Sequence, residues 1–253
     1  MHQRFFIDKT GISRTNLIET RRFIQSCIKQ HRYGYLCVTN SRTLYISNHD
    51  PEYREIQNGS LLTVPDGIPL VWIARNLGYY DVDKVSGKAL MDELIRSSPR
   101  EGYSHYFFGS TPETLAKMKE NILSQYGQVD IRGMVSPPFQ PLEAYDIGKL
   151  AAEINAARPT FFWCGLGAPK QERLIAKLQP LLSETFCVGV GLAFEYYAGT
   201  VKRAPSWMHK TGMEGIYRIL QQPERVNATS LKMWLSSAPF LVKSMISRKH
   251  AVA

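Results

Sequence analysis

The stretch SHYFFGSTPETLAKMKENILSQYG, residues 104–127, decides the class of fold. Its apolar run stops at Gly109, and the two residues that follow, Ser110 and Thr111, are of the types that cap helices. Pro112 suits the first turn of a helix, and apolar residues then recur at helical spacing. The stretch therefore predicts a β-strand that leads through a tight turn into an α-helix.

The same order of elements recurs along the chain. A strand, a glycine-containing turn and a helix also fit residues 60–78 and residues 161–178. Further elements predicted in this way are helices at 86–98 and 144–157, a short strand at 130–135, and a strand broken by glycines within 185–199. This alternation predicts an α/β fold with a Rossmann-like, mostly parallel sheet and helices on both faces.

Residues 33–47, YGYLCVTNSRTLYIS, show a different pattern. Two short runs rich in β-branched and aromatic residues flank the polar residues 39–42. The pattern predicts two short strands joined by a turn.

The positive charge of the chain is concentrated near its C-terminus. The formal net charge of the 253 residues is +9, and from Lys202 onward nine basic residues stand against two acidic ones, so this part carries +7. It is also aromatic and helical in pattern. We therefore expect an α/β core at residues 1–200 and a basic helical appendage at residues 201–253. Such a concentration of charge favours contact with nucleic acid or with an anionic membrane surface.

Two features of the sequence bear on where the protein works. The four cysteines form no CxxC pair, and three of them lie in or beside apolar runs, which predicts reduced thiols of a cytoplasmic protein. The first residues lack the apolar segment of a signal peptide, and no apolar run approaches the ~20 residues that span a bilayer. We therefore expect a cytoplasmic protein whose contact with a membrane is peripheral.

Four predicted turns follow strands and are candidates for a ligand site, because ligands of parallel sheets bind at the carboxyl ends of the strands. They contain Thr39 and Asn40, Asp66, Gly109 and Ser110, and the segment from Gly165 to Gln171. Glycines let a phosphate approach the backbone, and helix N-termini favour anions. None of these turns is a Walker loop or a complete GxGxxG, so plain strand-to-helix geometry explains each of them equally well.

Carboxylates at two places are candidates for catalysis or for metal binding. Asp66 follows an apolar strand and could act as a general base, although Asp-Gly is also a common turn pair. Asp81 and Asp83 resemble a metal-binding DxD motif, but they follow a helix and are predicted to lie in an exposed loop. The six histidines show no HxH or HExxH spacing, so we expect no metal site and no cofactor.

Five stretches occurring in this order resemble the WecG/TagA/CpsF family of bacterial glycosyltransferases (glycosyltransferase family 26). They are VPDGIPLVWIARNLG, KVSGKALMDEL, YFFGSTPETLAKM, GLGAPKQE and VGVGLAFEYYAGTVKRAPSWMHKTGMEGIYRILQQPER. The resemblance runs from about residue 33 to about residue 225. It implies an inverting, metal-independent transfer of a sugar from a UDP-sugar to a polyprenyl-diphosphate-linked sugar, in the synthesis of cell-surface polysaccharides.

The resemblance also implies roles for single residues. The catalytic base of the family falls on Asp66. Its substrate-binding positions fall on Thr39, Asn40 and Gln171, and near them we place Lys84, Gly109, Ser110, Gly165, Gly167 and Glu195 in the same role. Basic residues that hold the lipid diphosphate fall on Lys202, Arg203, Arg218 and Arg225.

This chain departs from the family's usual sequence at two of these positions. Lys84 stands where the family usually has arginine, which keeps the charge but loses the bidentate geometry of a guanidinium. Glu195 stands where the family usually has aspartate. Both changes concern the identity of the donor sugar more than the class of reaction.

The C-terminal residues 227–250 suggest how the protein meets its substrate. They predict two short amphipathic helices with basic residues, which fit either packing on the core or a peripheral membrane anchor.

The alternative to an enzyme is a nucleotide- or nucleic-acid-binding protein with a basic tail. That tail does not interleave aromatic and base-reading polar residues, so we expect no nucleic-acid partner. A homo-oligomer is compatible with the sequence.

Overall fold

The computed structural model describes residues 3–202 and, beyond them, residues 204, 205, 208 and 217. Its strands are β1 (Arg4–Ile7), β2 (Thr10–Ser13), β3 (Tyr35–Thr39), β4 (Leu62–Pro65), β5 (Ser104–Gly109), β6 (Asp130–Val135), β7 (Phe161–Gly165) and β8 (Phe186–Gly189). Its α-helices are α1 (Leu17–Lys29), α2 (Ser41–His49), α3 (Pro51–Gly59), α4 (Ile68–Asn76), α5 (Gly87–Glu101), α6 (Pro112–Tyr126), α7 (Ile147–Ala157), α8 (Lys170–Leu178) and α9 (Ala193–Ala198). Short 3-10 helices lie at Leu142–Ala144 and Gln179–Leu181.

Six strands form one parallel sheet in the order β4-β3-β8-β7-β5-β6, and β1 and β2 form a separate antiparallel hairpin. The predicted α/β class and the parallel sheet are confirmed. Because all six strands run the same way, their carboxyl ends meet at one edge.

Helices cover both faces of the sheet, as predicted. Alternate residues of β7 show the division: Phe161 and Trp163 pack into a core with α5, α6 and α9, whereas Phe162 and Cys164 pack against α7 and α8. Strands buried on both faces read as continuous apolar runs, which explains why β5 and β7 were recognisable in the sequence. The four cysteines are buried and free, as expected.

The two-strand prediction for residues 33–47 is wrong in its second half. β3 ends at Thr39, and helix α2 begins at Ser41. Asn40 caps this helix: its side chain accepts hydrogen bonds from the N–H groups of Arg42 and Thr43, and the Thr43 hydroxyl accepts one from the Asn40 N–H. This reciprocal capping box nucleates a helix in a segment whose composition favours strand.

The predicted basic appendage lies almost wholly outside the described residues. Lys202 is described and exposed, whereas Arg203, Arg218, Arg225 and the segment 227–250 lie outside. The boundary predicted at residue 200 stays a prediction.

Candidate functional site

A cleft of about 280 Å³ opens at the carboxyl edge of the sheet, over β3, β4, β7 and β8. Six of the predicted site residues line it: Asn40, Asp66, Gly165, Gly167, Gln171 and Glu195. The strands place them there, since each residue lies in or close behind the turn that follows a strand. Residues far apart in sequence thus share one concave surface, which is the usual setting of a ligand site in such a sheet.

Asp66 lies in the turn between β4 and α4. Its backbone N–H donates to the carbonyl of Thr39 at 2.6 Å, which ties the turn to the end of the neighbouring strand. The side chain is 17% exposed, and its Oδ1 lies 3.8 Å from Nζ of Lys84, itself 19% exposed. A largely buried carboxylate at the cleft, with a cation beside it, can take up a proton from a bound hydroxyl.

The neighbouring residues Thr39 and Asn40 differ in where they lie. Thr39 is fully buried, and its hydroxyl donates to Oε1 of Gln57 at 2.5 Å, so it supports the cleft from behind rather than lining it. Asn40 lines the cleft while its side-chain oxygen caps α2. The cap uses the oxygen of this amide and leaves its NH₂ group for other partners.

Gln171 joins two loops of the cleft. Its Oε1 accepts hydrogen bonds from the N–H of Gly167 at 3.1 Å and from the N–H of Gly191 at 3.0 Å. Its Nε2 donates to Oε1 of Glu172 at 2.7 Å. Gln171 therefore ties the loop after β7 to the loop after β8. A Cβ at Gly189 would come within 2.8 Å of this amide, so a larger residue there would displace it.

The turn at Gly109 and Ser110 reaches the cleft indirectly. A Cβ on Gly109 would lie 2.8 Å from the backbone of Gly165, so glycine permits the close approach of β5 and β7 at their ends. The Ser110 hydroxyl donates to Oε1 of Glu195 at 3.3 Å. Glu195, 9% exposed, is thereby held at the cleft by a neighbour that does not line it.

The N-terminus of α5 contributes a part of the cleft that the sequence reasoning missed. Ser86, Gly87 and Lys88 line the cleft, and Ser86 caps the helix by accepting from the N–H of Ala89 at 3.2 Å. The first N–H groups of a helix lack acceptors within it and favour anions. Lys88 is partly neutralised by Asp92, whose two oxygens lie 2.8 and 2.7 Å from its Nζ.

Several other charged side chains of the described residues have partners of their own. Asp81 accepts hydrogen bonds from Arg14 at 2.8 Å and lies in a loop, as predicted for the DxD segment. Arg173 pairs with Asp50 and Glu52, and the Lys170 ammonium donates to the carbonyl of Gln140. Among the described residues, no cluster of three or more His, Cys, Asp or Glu side chains could hold a metal ion.

The helices in the described part of the chain include none with the length and apolar character needed to cross a bilayer.

Comparison with known proteins identifies the family. The model of the Glycosyl transferase WecG/TagA/CpsF family matches residues 6–251, which is nearly the whole chain. This protein belongs to that family. A curated relative from Bacillus spizizenii, an N-acetylglucosaminyldiphosphoundecaprenol N-acetyl-beta-D-mannosaminyltransferase, is 24% identical to it over 225 residues. That match covers 89% of this glycosyltransferase and 84% of the relative.

Membership in this glycosyltransferase family favours the enzyme over the binding protein considered as an alternative from the sequence. It also shows which signals in the sequence were informative. The short motifs that carried the resemblance contain Asp66, Gln171 and Glu195, all of which line the cleft of the glycosyltransferase. Arg42 and Tyr196 line it too, although neither was named as a site residue: both neighbour named candidates in the sequence, and their side chains are brought to the cleft by α2 and α9.

Proposed function

We propose that this glycosyltransferase moves a sugar from a UDP-sugar to a polyprenyl-diphosphate-linked sugar, with inversion of the anomeric centre. The name of the relative from Bacillus spizizenii supports the acceptor class, since that enzyme acts on an N-acetylglucosaminyl-diphosphoundecaprenol. The observation that carries the proposal is the carboxylate of Asp66, held at the cleft beside Lys84.

In this mechanism Asp66 is the general base. It takes the proton of the acceptor hydroxyl as that oxygen attacks the anomeric carbon, and UDP leaves from the opposite face of the sugar. The turn that carries Asp66 is tied to the end of β3 through the Thr39 carbonyl, so the carboxylate is positioned before the substrate arrives. A positioned base of this kind contributes about 10² to 10⁴ in rate.

The charge that develops on the departing diphosphate needs donors. In this proposal the N-terminus of α5 and Lys88, which line the cleft, supply N–H groups and a cation, and Lys84 adds a second cation beside Asp66. Preorganised donors act without the cost of reorienting water, and the loss of one typically costs about 3 to 4 kcal/mol. In this proposal no metal ion takes part in the step.

Sugar recognition falls to the loops after β7 and β8. Gly165 and Gly167 bring backbone close to the ligand, while Glu195 accepts hydrogen bonds from sugar hydroxyls. Glutamate in place of the family's usual aspartate extends this carboxylate by one methylene. We expect this residue to influence which UDP-sugar is accepted.

The acceptor is held by the basic C-terminal part of the chain. We propose that Lys202, Arg203, Arg218 and Arg225 meet the diphosphate and that residues 227–250 rest on the inner face of the cytoplasmic membrane. The concentration of charge in this segment supports the proposal.

A panel of UDP-sugars tests the proposed function. Purified enzyme is incubated with each donor and a short-chain polyprenyl-diphosphate-N-acetylglucosamine, and the products are followed by mass spectrometry, with NMR coupling constants reporting the anomeric configuration. We expect one or two donors to give a disaccharide lipid of inverted configuration, and Asp66→Asn to give almost none. Retention of configuration, or product formation only from other nucleotide sugars, would contradict the proposal.

A further inference from the structure

A buried carboxylate behind the cleft has no place in the mechanism above. Glu172 lies in the first turn of α8, and only 1% of it is exposed. Burying a carboxyl group is costly, so an apolar side chain would pack at this position with less penalty. Burial also raises the pKa of the Glu172 carboxyl. A carboxyl group buried to this extent needs hydrogen-bond partners.

The direct hydrogen bond of Glu172 goes to the amide that joins the two glycine loops. Its Oε1 accepts from Nε2 of Gln171 at 2.7 Å. On the other side of that amide, Oε1 of Gln171 accepts from the N–H groups of Gly167 and Gly191. A carboxamide has one acceptor end and one donor end, so these three contacts fit only one of its two orientations.

The alternative orientation explains why an acceptor is needed. If the Gln171 amide turned over, its NH₂ group would face the N–H groups of Gly167 and Gly191, and donor would oppose donor. The loops would then lose their link. Glu172 opposes this exchange because its Oε1 is placed as an acceptor, which matches the NH₂ group of Gln171 and not its amide oxygen.

The surroundings of Glu172 keep its side chain in place. Tyr53 and Gln57 of α3 are fully buried beside it, and their polar atoms share the same interior. Gln57 in turn accepts from the hydroxyl of Thr39 at the end of β3. Buried polar groups are thus found at the end of β3, in α3 and at the start of α8, where Gln171 connects Glu172 to the cleft.

We propose that Glu172 is a positioning residue of this glycosyltransferase, which fixes the Gln171 amide in the orientation that ties the loops at Gly167 and Gly191 together and so shapes the wall of the cleft that binds the donor. This role rests on the proposed function only where it concerns the donor. The link between the loops is a property of the free protein.

The first test therefore needs no substrate. Hydrogen exchange of the Gly167 and Gly191 amides is measured in the full-length protein for the wild type, Glu172→Met and Glu172→Gln. Methionine has a similar length and no strong acceptor, so exchange at both glycines should speed up at least about tenfold. Glutamine still offers a carbonyl oxygen to the Gln171 amide and should restore most of the protection. Unchanged exchange in Glu172→Met would overturn the proposal.

The second test measures the donor. With the UDP-sugar that the panel identifies, Glu172→Met should raise the KM for the donor about fivefold or more, leave the acceptor KM unchanged and change kcat less than twofold. Such a split indicates lost binding that is shared by ground state and transition state. Ile175→Val, a mild core change on the same helix, is the matched control and should leave the donor KM unchanged.

A double variant separates this role from general destabilisation. Gln171→Leu removes the link itself, so adding Glu172→Met to it should raise the donor KM no further. Additive effects would overturn the proposal, as would equal effects of Glu172→Met and Ile175→Val. Faster exchange at the glycines with an unchanged affinity for UDP-sugar would refute the donor role. Absence of turnover with every UDP-sugar contradicts the proposed function and leaves the exchange experiment to decide the link.

Discussion

Replacing Asp66 with asparagine separates catalysis from folding in this protein. The substitution conserves size but removes the negative charge, and with it the pair between Asp66 Oδ1 and Lys84 Nζ at 3.8 Å. Two unit charges at this distance attract by about 1 kcal/mol in bulk water and by about 4 kcal/mol at an effective dielectric constant of about 20. The cost of removing the two charges from water and the loss of side-chain entropy offset most of this attraction, because both side chains are largely buried.

We therefore expect Asp66→Asn to cost about 1 kcal/mol of stability, which corresponds to a fall in Tm of about 2 to 4 °C for a chain of this size. The loss of a general base should lower kcat by about 10² to 10⁴, which is about 3 to 5 kcal/mol in the barrier. The effect on turnover thus exceeds the effect on folding by several-fold in free energy.

The assay combines product formation with calorimetric measurement of Tm and titration with UDP. Asp81→Asn is the matched control, since Asp81 also pairs with a cation, Arg14, but lies in an exposed loop. The control should lose stability to a similar extent and keep its activity. If Asp66→Asn retains more than about a third of wild-type turnover, Asp66 is not the base. If it loses UDP binding as well, the carboxylate serves the fold of the site rather than the proton transfer.

Three further outcomes are expected. EDTA should leave turnover unchanged, because Asp81 of the DxD segment is engaged by Arg14; recovery of a chelated enzyme by Mn²⁺ or Mg²⁺ would contradict this. Burial lowers the pKa of His105 to about 3, so stability is lost as the pH falls below about 6.5. In urea unfolding, the advantage of the wild type over His105→Gln should therefore be about 2 kcal/mol smaller at about pH 5 than at about pH 7.5, and a constant difference would refute the reasoning. Removal of residues 227–253 should release the protein from anionic vesicles at low salt while UDP binding persists, and equal sedimentation of both chains would exclude this segment as the anchor.

The strand-to-helix units were predictable because burial on both faces gives a strand a continuous apolar run and capping residues mark where the next helix begins. Residues 104–127 contain both signals, and β5 and α6 lie where the pattern placed them. The motifs showed the resemblance to the family and identified Asp66, Gln171 and Glu195 as candidate site residues. The segment 41–49 was misread because its β-branched residues favour strand, while the capping box of Asn40 and Thr43 favours helix and prevails in the fold.

The N-terminal hairpin and helices α1 and α3 were not predicted from the sequence. Their side chains find their partners far along the chain: Arg4, for example, donates to the carbonyl of Asn58 at 2.7 Å. The order of the strands in the sheet likewise depends on contacts between residues far apart in the sequence. β3 and β8 are neighbours although about 150 residues separate them, and no local pattern reports a pairing of that kind.

Patterns in the sequence indicate which residues end strands, and hence which of them could reach a ligand at the carboxyl edge. What each of these side chains does there depends on how the helices pack around the sheet. Thr39 and Asn40 are adjacent in sequence, yet Thr39 bonds to Gln57 in the interior while Asn40 lines the cleft. The reason is that Thr39 is the last residue of β3 and its hydroxyl meets Gln57 of the packed helix α3, whereas Asn40 lies beyond the strand, in the turn that caps α2 at the carboxyl edge of the sheet. The packing of the helices thus determines whether a polar group meets a buried partner or the ligand.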